Sequence, residues 1–211
     1  MTLRVAALLP VLAALAGCGL SRSPYVPVRY YSIDPPPLPR AAARTSEVTL
    51  GVRALLSTSA YRDRILYRTG GRAVDYHEDD RWVEPPAEMV TRALERALQA
   101  AGVARLVADD RLLRRAQFVL EGRLTRFDEV HGAPQWTAEC EIELALRQAE
   151  GDQTVLVTRL AARQPAKEKT TLAFVEAMNV AVGEIAAAAA ETVANALAKP
   201  PSAPAGEKKS P

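Results

Sequence analysis

Soft metal ligands are scarce in this sequence: 211 residues hold two cysteines and two histidines. A zinc cluster built from them is not expected, and neither is any other resident metal. Charge of one sign is lacking as well. The formal net charge is +2, so no basic excess points to nucleic acid. There is no G-x-S-x-G elbow, no glycine-rich phosphate loop and no histidine near a candidate nucleophile. These absences point away from an enzyme, a periplasmic hydrolase being the third and least favoured reading. No repeat of 20–50 residues is visible, which excludes solenoids and propellers. Even the longest apolar stretch, Val5–Ala16, is broken by Pro10 and falls short of the roughly 20 residues that cross a bilayer.

That stretch has a different use. Met1–Arg4 carries one positive charge, Val5–Ala16 is the apolar region behind it, and Leu15-Ala16-Gly17-Cys18 ends it. Together they look like a lipoprotein signal peptide (1–17) with a lipobox, cut between Gly17 and Cys18 after lipidation of Cys18. An anchor helix or an ordinary buried helix is the competing reading. A diacylglyceryl thioether and an acylated amine on Cys18 would be the anchor, since several acyl chains are needed for stable attachment. Gly19 stands where an aspartate commonly marks inner-membrane retention, so the outer membrane is expected, with the domain on its periplasmic face. Cys140 is then the one remaining thiol, and an intramolecular disulfide is impossible.

Residues 18–46 read as the lipidated cysteine and a tether. Tyr30-Tyr31-Ser32-Ile33 offers a short strand, and Pro35, Pro36, Pro37 and Pro39 predict a stiff polyproline segment. It would hold the domain off the membrane or lay the chain across its surface. The domain proper is placed at 47–199. Glu47–Ser57 alternates with period two and predicts a strand. Arg64–Thr69 and Arg72–His77 flank Gly70-Gly71 as a hairpin, with Glu78-Asp79-Asp80 as a loop after it. Glu84-Pro85-Pro86 opens a helix to about Ala101, with Met89, Val90, Leu94 and Leu98 on its apolar face. Val103–Val107 reads as a brief strand. Gln117–Phe127, Trp136–Arg147 and Thr154–Arg163 predict three antiparallel strands with one dry and one wet face. Thr171–Leu197 predicts a long helix, its apolar face including Leu172, Val175, Met178, Val182 and Ile185. Residues 200–211, rich in Pro, Ser, Lys and Gly, read as a disordered tail. Two helices on one sheet give a layered α/β domain with some parallel pairs.

Candidate chemistry is thin. Glu139, Glu141 and Glu143 share one strand face, where pairing with a basic neighbour such as Arg123 or Arg159 is the plain reading. Cys140 falls on the opposite, apolar side as an inert thiol. His77 reads as a surface residue.

The order and spacing of several segments are more telling. Tyr30-Tyr31-Ser32-Ile33 after the lipobox, Val48-Thr49-Leu50-Gly51-Val52, Tyr61-Arg62-Asp63-Arg64-Ile65-Leu66-Tyr67-Arg68 and Arg81-Trp82-Val83-Glu84-Pro85 together resemble the ABC-type transport auxiliary lipoproteins, the PqiC-like group. Pro86 departs from the family, which commonly has a hydrophobic residue there. The resemblance spans about residues 18–198. It implies a three-layer α/β sandwich, a mixed sheet with two long helices, similar to the TolB amino-terminal domain. It also implies work with an MCE-domain protein and its ABC permease and ATPase in carrying lipid across the periplasm, this chain being the outer-membrane docking end. The expected partner surface runs from Tyr61 to Trp82 and includes Arg62, Asp63, Arg64 and Arg81. Trp82 itself could instead cover the helix start, and Asp63 could pair internally. The competing function is an envelope-assembly or structural lipoprotein that handles no lipid. Self-association through the alanine-rich face of the last helix stays open.

Overall fold

The computed structural model describes residues 25–36 and 46–198. Gly17 and Cys18 of the lipobox, residues 37–45 of the proline segment and the tail lie outside the described residues. Among the described residues nine strands form one mixed sheet: β1 (Arg29–Tyr31), β2 (Ser46–Val52), β3 (Leu56–Ser57), β4 (Arg64–Thr69), β5 (Ala73–Trp82), β6 (Ala104–Asp109), β7 (Phe118–His131), β8 (Thr137–Gln148) and β9 (Gln153–Pro165). Helices α1 (Pro86–Ala101) and α2 (Thr171–Leu197) complete the domain.

Strand β7 is the axis of the sheet. One of its edges pairs antiparallel with β8, from Phe118↔Gln148 to Val130↔Thr137. The other edge is shared in succession by β2, β3 and β4, all parallel to it. Strand β9 extends the antiparallel side beyond β8. Beyond β2 lies β6, and beyond β4 lie β5 and β1. The mixed sheet with two helices is thus the expected α/β fold. Its antiparallel meander is β7–β8–β9; the parallel pairs of β2, β3 and β4 with β6 or β7 span helix α1, whereas the parallel pair β1–β5 is joined through β2–β4.

Period-two patterning holds best in β8, which has a neighbour on each edge. Ala138, Cys140, Ile142, Leu144 and Leu146 are all buried. The opposite face carries Glu139, Glu141 and Glu143, each paired with arginine: Glu139 with Arg126 and Arg163, Glu141 with Arg159, Glu143 with Arg123. In β7 the alternation breaks between Leu124 and Arg126, where the register shifts. Leu120 and Leu124 face the core before this bulge and Phe127 after it. Gly122 lies where strands crowd: a Cβ there would stand 2.1 Å from the Glu143 carbonyl oxygen.

Helix α1 begins as its prolines dictate, with Pro85 before the first turn and Pro86 in it. It buries Met89, Val90, Ala93, Leu94, Ala97 and Leu98. Each large apolar side chain so buried stabilises by about 1.5–3 kcal/mol. Helix α2 is capped by Thr170, whose hydroxyl accepts from the Ala173 N–H at 3.2 Å. By length and composition it could cross a membrane, yet half of its most apolar window is buried against α1, β8 and β9. Leu172, expected inward, is exposed, and Phe174 fills the core instead.

Two segments differ from the sequence reading. Glu78–Asp80 is no loop: β5 continues through it to Trp82, because β1 lies beside that end and pairs Arg29↔Asp80 to Tyr31↔Trp82. Residues 29–36 also belong to the packed domain rather than to a free tether. Ile33 is buried and its N–H points at the Met89 sulfur of α1 at 3.3 Å. The Asp34 N–H donates to Asn179 of α2 at 2.8 Å, and its carboxylate pairs with Arg96. Pro35 is buried over Gly183. This strap fastens the first strand across both helices.

Candidate functional site

Strands β4, β5 and β7 bring together most of the residues singled out in the sequence. Tyr61 and Trp82 are buried, so neither meets a partner directly. Trp82 packs edge-on against Phe127, with ring centroids 5.4 Å apart, and beside Phe174. It is thus a core residue, packed beside the first turn of α2. The Tyr61 hydroxyl donates to Asp128 at 2.7 Å. Burial and this carboxylate push the phenol up to about 12. Between them, Arg62, Asp63 and Arg64 are exposed. The Trp82 N–H donates to the Asp63 carbonyl at 2.6 Å, which holds this loop against the end of β5. Arg64 lies over the Tyr76 ring at 5.1 Å. Arg81 reaches Asp63 at 3.8 Å and donates to the carbonyls of His77 and Asp80.

Behind that surface lies a row of buried carboxylates that sequence patterning did not reveal. Asp80 receives a two-pronged bond from Arg29 at 2.7 and 2.9 Å and a hydroxyl bond from Thr171 at 2.8 Å. Burial pushes this carboxyl up, but the guanidinium and the hydroxyl outweigh it and hold it below the usual carboxylate range. Asp128 is held by Arg68, Tyr61 and, at 3.7 Å, Arg126. Glu129 lies between two imidazoles: His77 Nε2 is 2.8 Å from one of its oxygens and His131 Nε2 is 2.6 Å from the other. His77 is thus half-buried rather than on the surface. Asp128 and Glu129 are consecutive in β7 and point to opposite faces, yet both are buried, and nothing in a period-two pattern signals that both faces are covered there. Of these residues, His77, Glu129 and His131 could hold a metal ion.

Cys140 is buried, and burial pushes its thiol well above the ordinary range. On the outer face a groove of about 500 Å³ is lined by Arg53, Leu56, Gly122, Arg123, Leu144 and Val157. Leu56 and Val157 are among the most exposed apolar side chains.

The fold has solved counterparts. A Xanthomonas campestris protein of the DUF330 family is similar with a TM-score of 0.73 and 16% identity, covering 80% of this chain and 96% of that one. An uncharacterized protein is similar at a TM-score of 0.64 and 15% identity, covering 80% and 99%. A hypothetical protein of Chlamydia trachomatis reaches 0.50 at 6% identity, covering 72% and 98%. These are likenesses of fold. No curated protein matches the sequence. The sequence profile described as "ABC-type transport auxiliary lipoprotein component" matches residues 31–190, well over half of the chain, and the chain belongs to that family.

Proposed function

We propose that this protein is an outer-membrane lipoprotein, anchored through Cys18 on the periplasmic face, that docks the MCE-domain protein of an ABC-type lipid transporter. Family membership makes it an auxiliary component of ABC-type transport, a lipoprotein of the cell envelope with a transporter partner. That role calls for a binding surface rather than a catalytic centre. The finer reading rests chiefly on where the chain enters the domain.

Strand β1 runs parallel to β5 beside its last residues, Asp80–Trp82, so residues ahead of Arg29 run back along β5 in the direction of the β4–β5 turn at Gly70–Gly71. Arg62, Asp63 and Arg64 lie at the other end of that hairpin, about 17 Å along β4. Ten residues, 19–28, separate Cys18 from β1 and span at most about 35 Å. A lipid on Cys18 would keep the hairpin turn close to the membrane and turn the Arg62–Arg64 loop away from it. The loop and Arg81 would then meet a partner arriving from the inner membrane, with arginine as the anchor type common at binding hot spots. Tyr61 and Trp82 support that loop from beneath.

A photo-crosslinking residue tests this in cells. At position 62 it should capture the MCE-domain protein, and at position 71 it should not. Equal capture at both positions, or none at 62, contradicts the assigned surface.

A further inference from the structure

We propose that His77, Glu129 and His131 form a site for one divalent transition-metal ion of the zinc class. Counting cysteines and histidines argues against such a site, but that count leaves out carboxylates. Here a glutamate supplies the third donor. One ring nitrogen of each histidine and a carboxylate oxygen of Glu129 lie within 4.8 Å of one another. Three donors around a zinc ion at about 2.0–2.2 Å stand roughly 3.3 Å apart, so small side-chain rotations suffice. Two imidazoles and a carboxylate are the donor set of open zinc sites, and imidazole also suits copper, nickel and cobalt.

Charge separates this cluster from its neighbours. Asp80 is paired with Arg29, Asp128 with Arg68 and Arg126, and Glu139 with Arg126 and Arg163. Glu129 is fully buried, and among the described residues only the two histidines lie within ion-pairing distance. A buried carboxylate without a guanidinium is costly, and a divalent ion in the fork between the imidazoles compensates it directly.

The surroundings fix the rings. His131 is stacked between Tyr67, at 4.6 Å, and Trp136, at 4.0 Å, with interplanar angles of 10° on both sides. His77 meets Tyr67 edge-on, and its Nδ1 stands 3.7 Å from Asp80, the outer carboxylate that commonly orients a ligating histidine. The two imidazole side chains keep 17% and 21% of their surface exposed, so an ion can enter and a position is left for water. In the sheet β4 lies between β5 and β7. An ion held by His77 and by Glu129 and His131 therefore ties the hairpin to the central strand across β4.

Isothermal titration of the full-length protein in detergent, without an affinity tag, tests this with zinc chloride. One equivalent should bind saturably, and His131→Gln or Glu129→Gln should weaken it at least 10-fold. Because the chain has two histidines, a ¹⁵N-histidine spectrum shows two imidazoles, and one equivalent of zinc should shift both. This second measurement needs no variant, so a misfolded Glu129→Gln protein leaves the test intact. No saturable binding, unchanged affinity in a folded His131→Gln protein, or a shift of one imidazole alone overturns the assignment.

Discussion

At the scale of single residues the sheet is held by choices that admit little substitution. Gly122 is the sharpest. Its missing side chain lets β8 lie where a Cβ would sit 2.1 Å from the Glu143 carbonyl oxygen, an obstacle made of backbone rather than of a movable side chain. Gly122→Ala should therefore destabilise the domain by at least about 3 kcal/mol in urea unfolding, at the upper end of overpacking effects. The outer face of β8 makes a second test. The Thr125 hydroxyl, followed by Arg159, outweighs burial and holds Glu141 below the usual glutamate range. A carboxyl with a lowered folded pKa stabilises above its unfolded value, near pH 4.3, and loses that contribution as pH falls further. Glu141→Gln should flatten the acid limb of a stability-versus-pH curve below about pH 4.5 and leave its slope near pH 7 unchanged. An acid limb as steep as the parent's contradicts the pairing.

At the scale of elements the strap of residues 29–36 is the feature that sequence patterning concealed. A short strand at Tyr30–Ile33 was legible, but Pro35, Pro36, Pro37 and Pro39 after it read as tether because polyproline makes no ladder of its own. Its hold is tertiary: Ile33 over Met89, Asp34 on Asn179 and Arg96, Pro35 on Gly183. Ile33→Asp buries a charge without a partner. It should lower stability by about 3 kcal/mol and expose residues 29–36 to limited proteolysis. An unaltered cleavage pattern would show that the strap does not depend on this contact. The strongly periodic elements were legible by contrast. Strand β8, the apolar face of α1 and the span of α2 follow from spacing alone, because each buries a single continuous face. The extension of β5 through Glu78-Asp79-Asp80 was not legible. Three acids in a row look like solvated loop until Arg29 and Thr171 are brought from 51 and 91 residues away to satisfy Asp80. The same holds for Asp128 and Glu129, which lie on opposite faces of β7 where both faces are covered. Of the candidate surface, Arg62, Asp63 and Arg64 were legible as a segment, but the sequence pattern does not say which side chains of that segment face out.

At the scale of the whole molecule the parts have one direction. The chain ahead of β1 runs from the hairpin-turn side, β1 itself lies beside the Asp80–Trp82 end of β5, the strap crosses both helices, and the exposed Arg62–Arg64 loop lies at the end of β4 away from the turn. Helix α2, apolar enough to cross a bilayer, belongs to the core, so attachment in this account rests on Cys18 and its lipid. The most direct measurement is binding of the purified MCE-domain partner to vesicles carrying the lipidated protein. Parent protein should bind the partner saturably, Arg62→Glu with Arg64→Glu should weaken binding at least 10-fold in a folded domain, and Cys18→Ala should leave both proteins in the supernatant. Partner binding equal in the parent and the charge-reversed protein, or a Cys18→Ala protein that stays with the vesicles, would contradict the account.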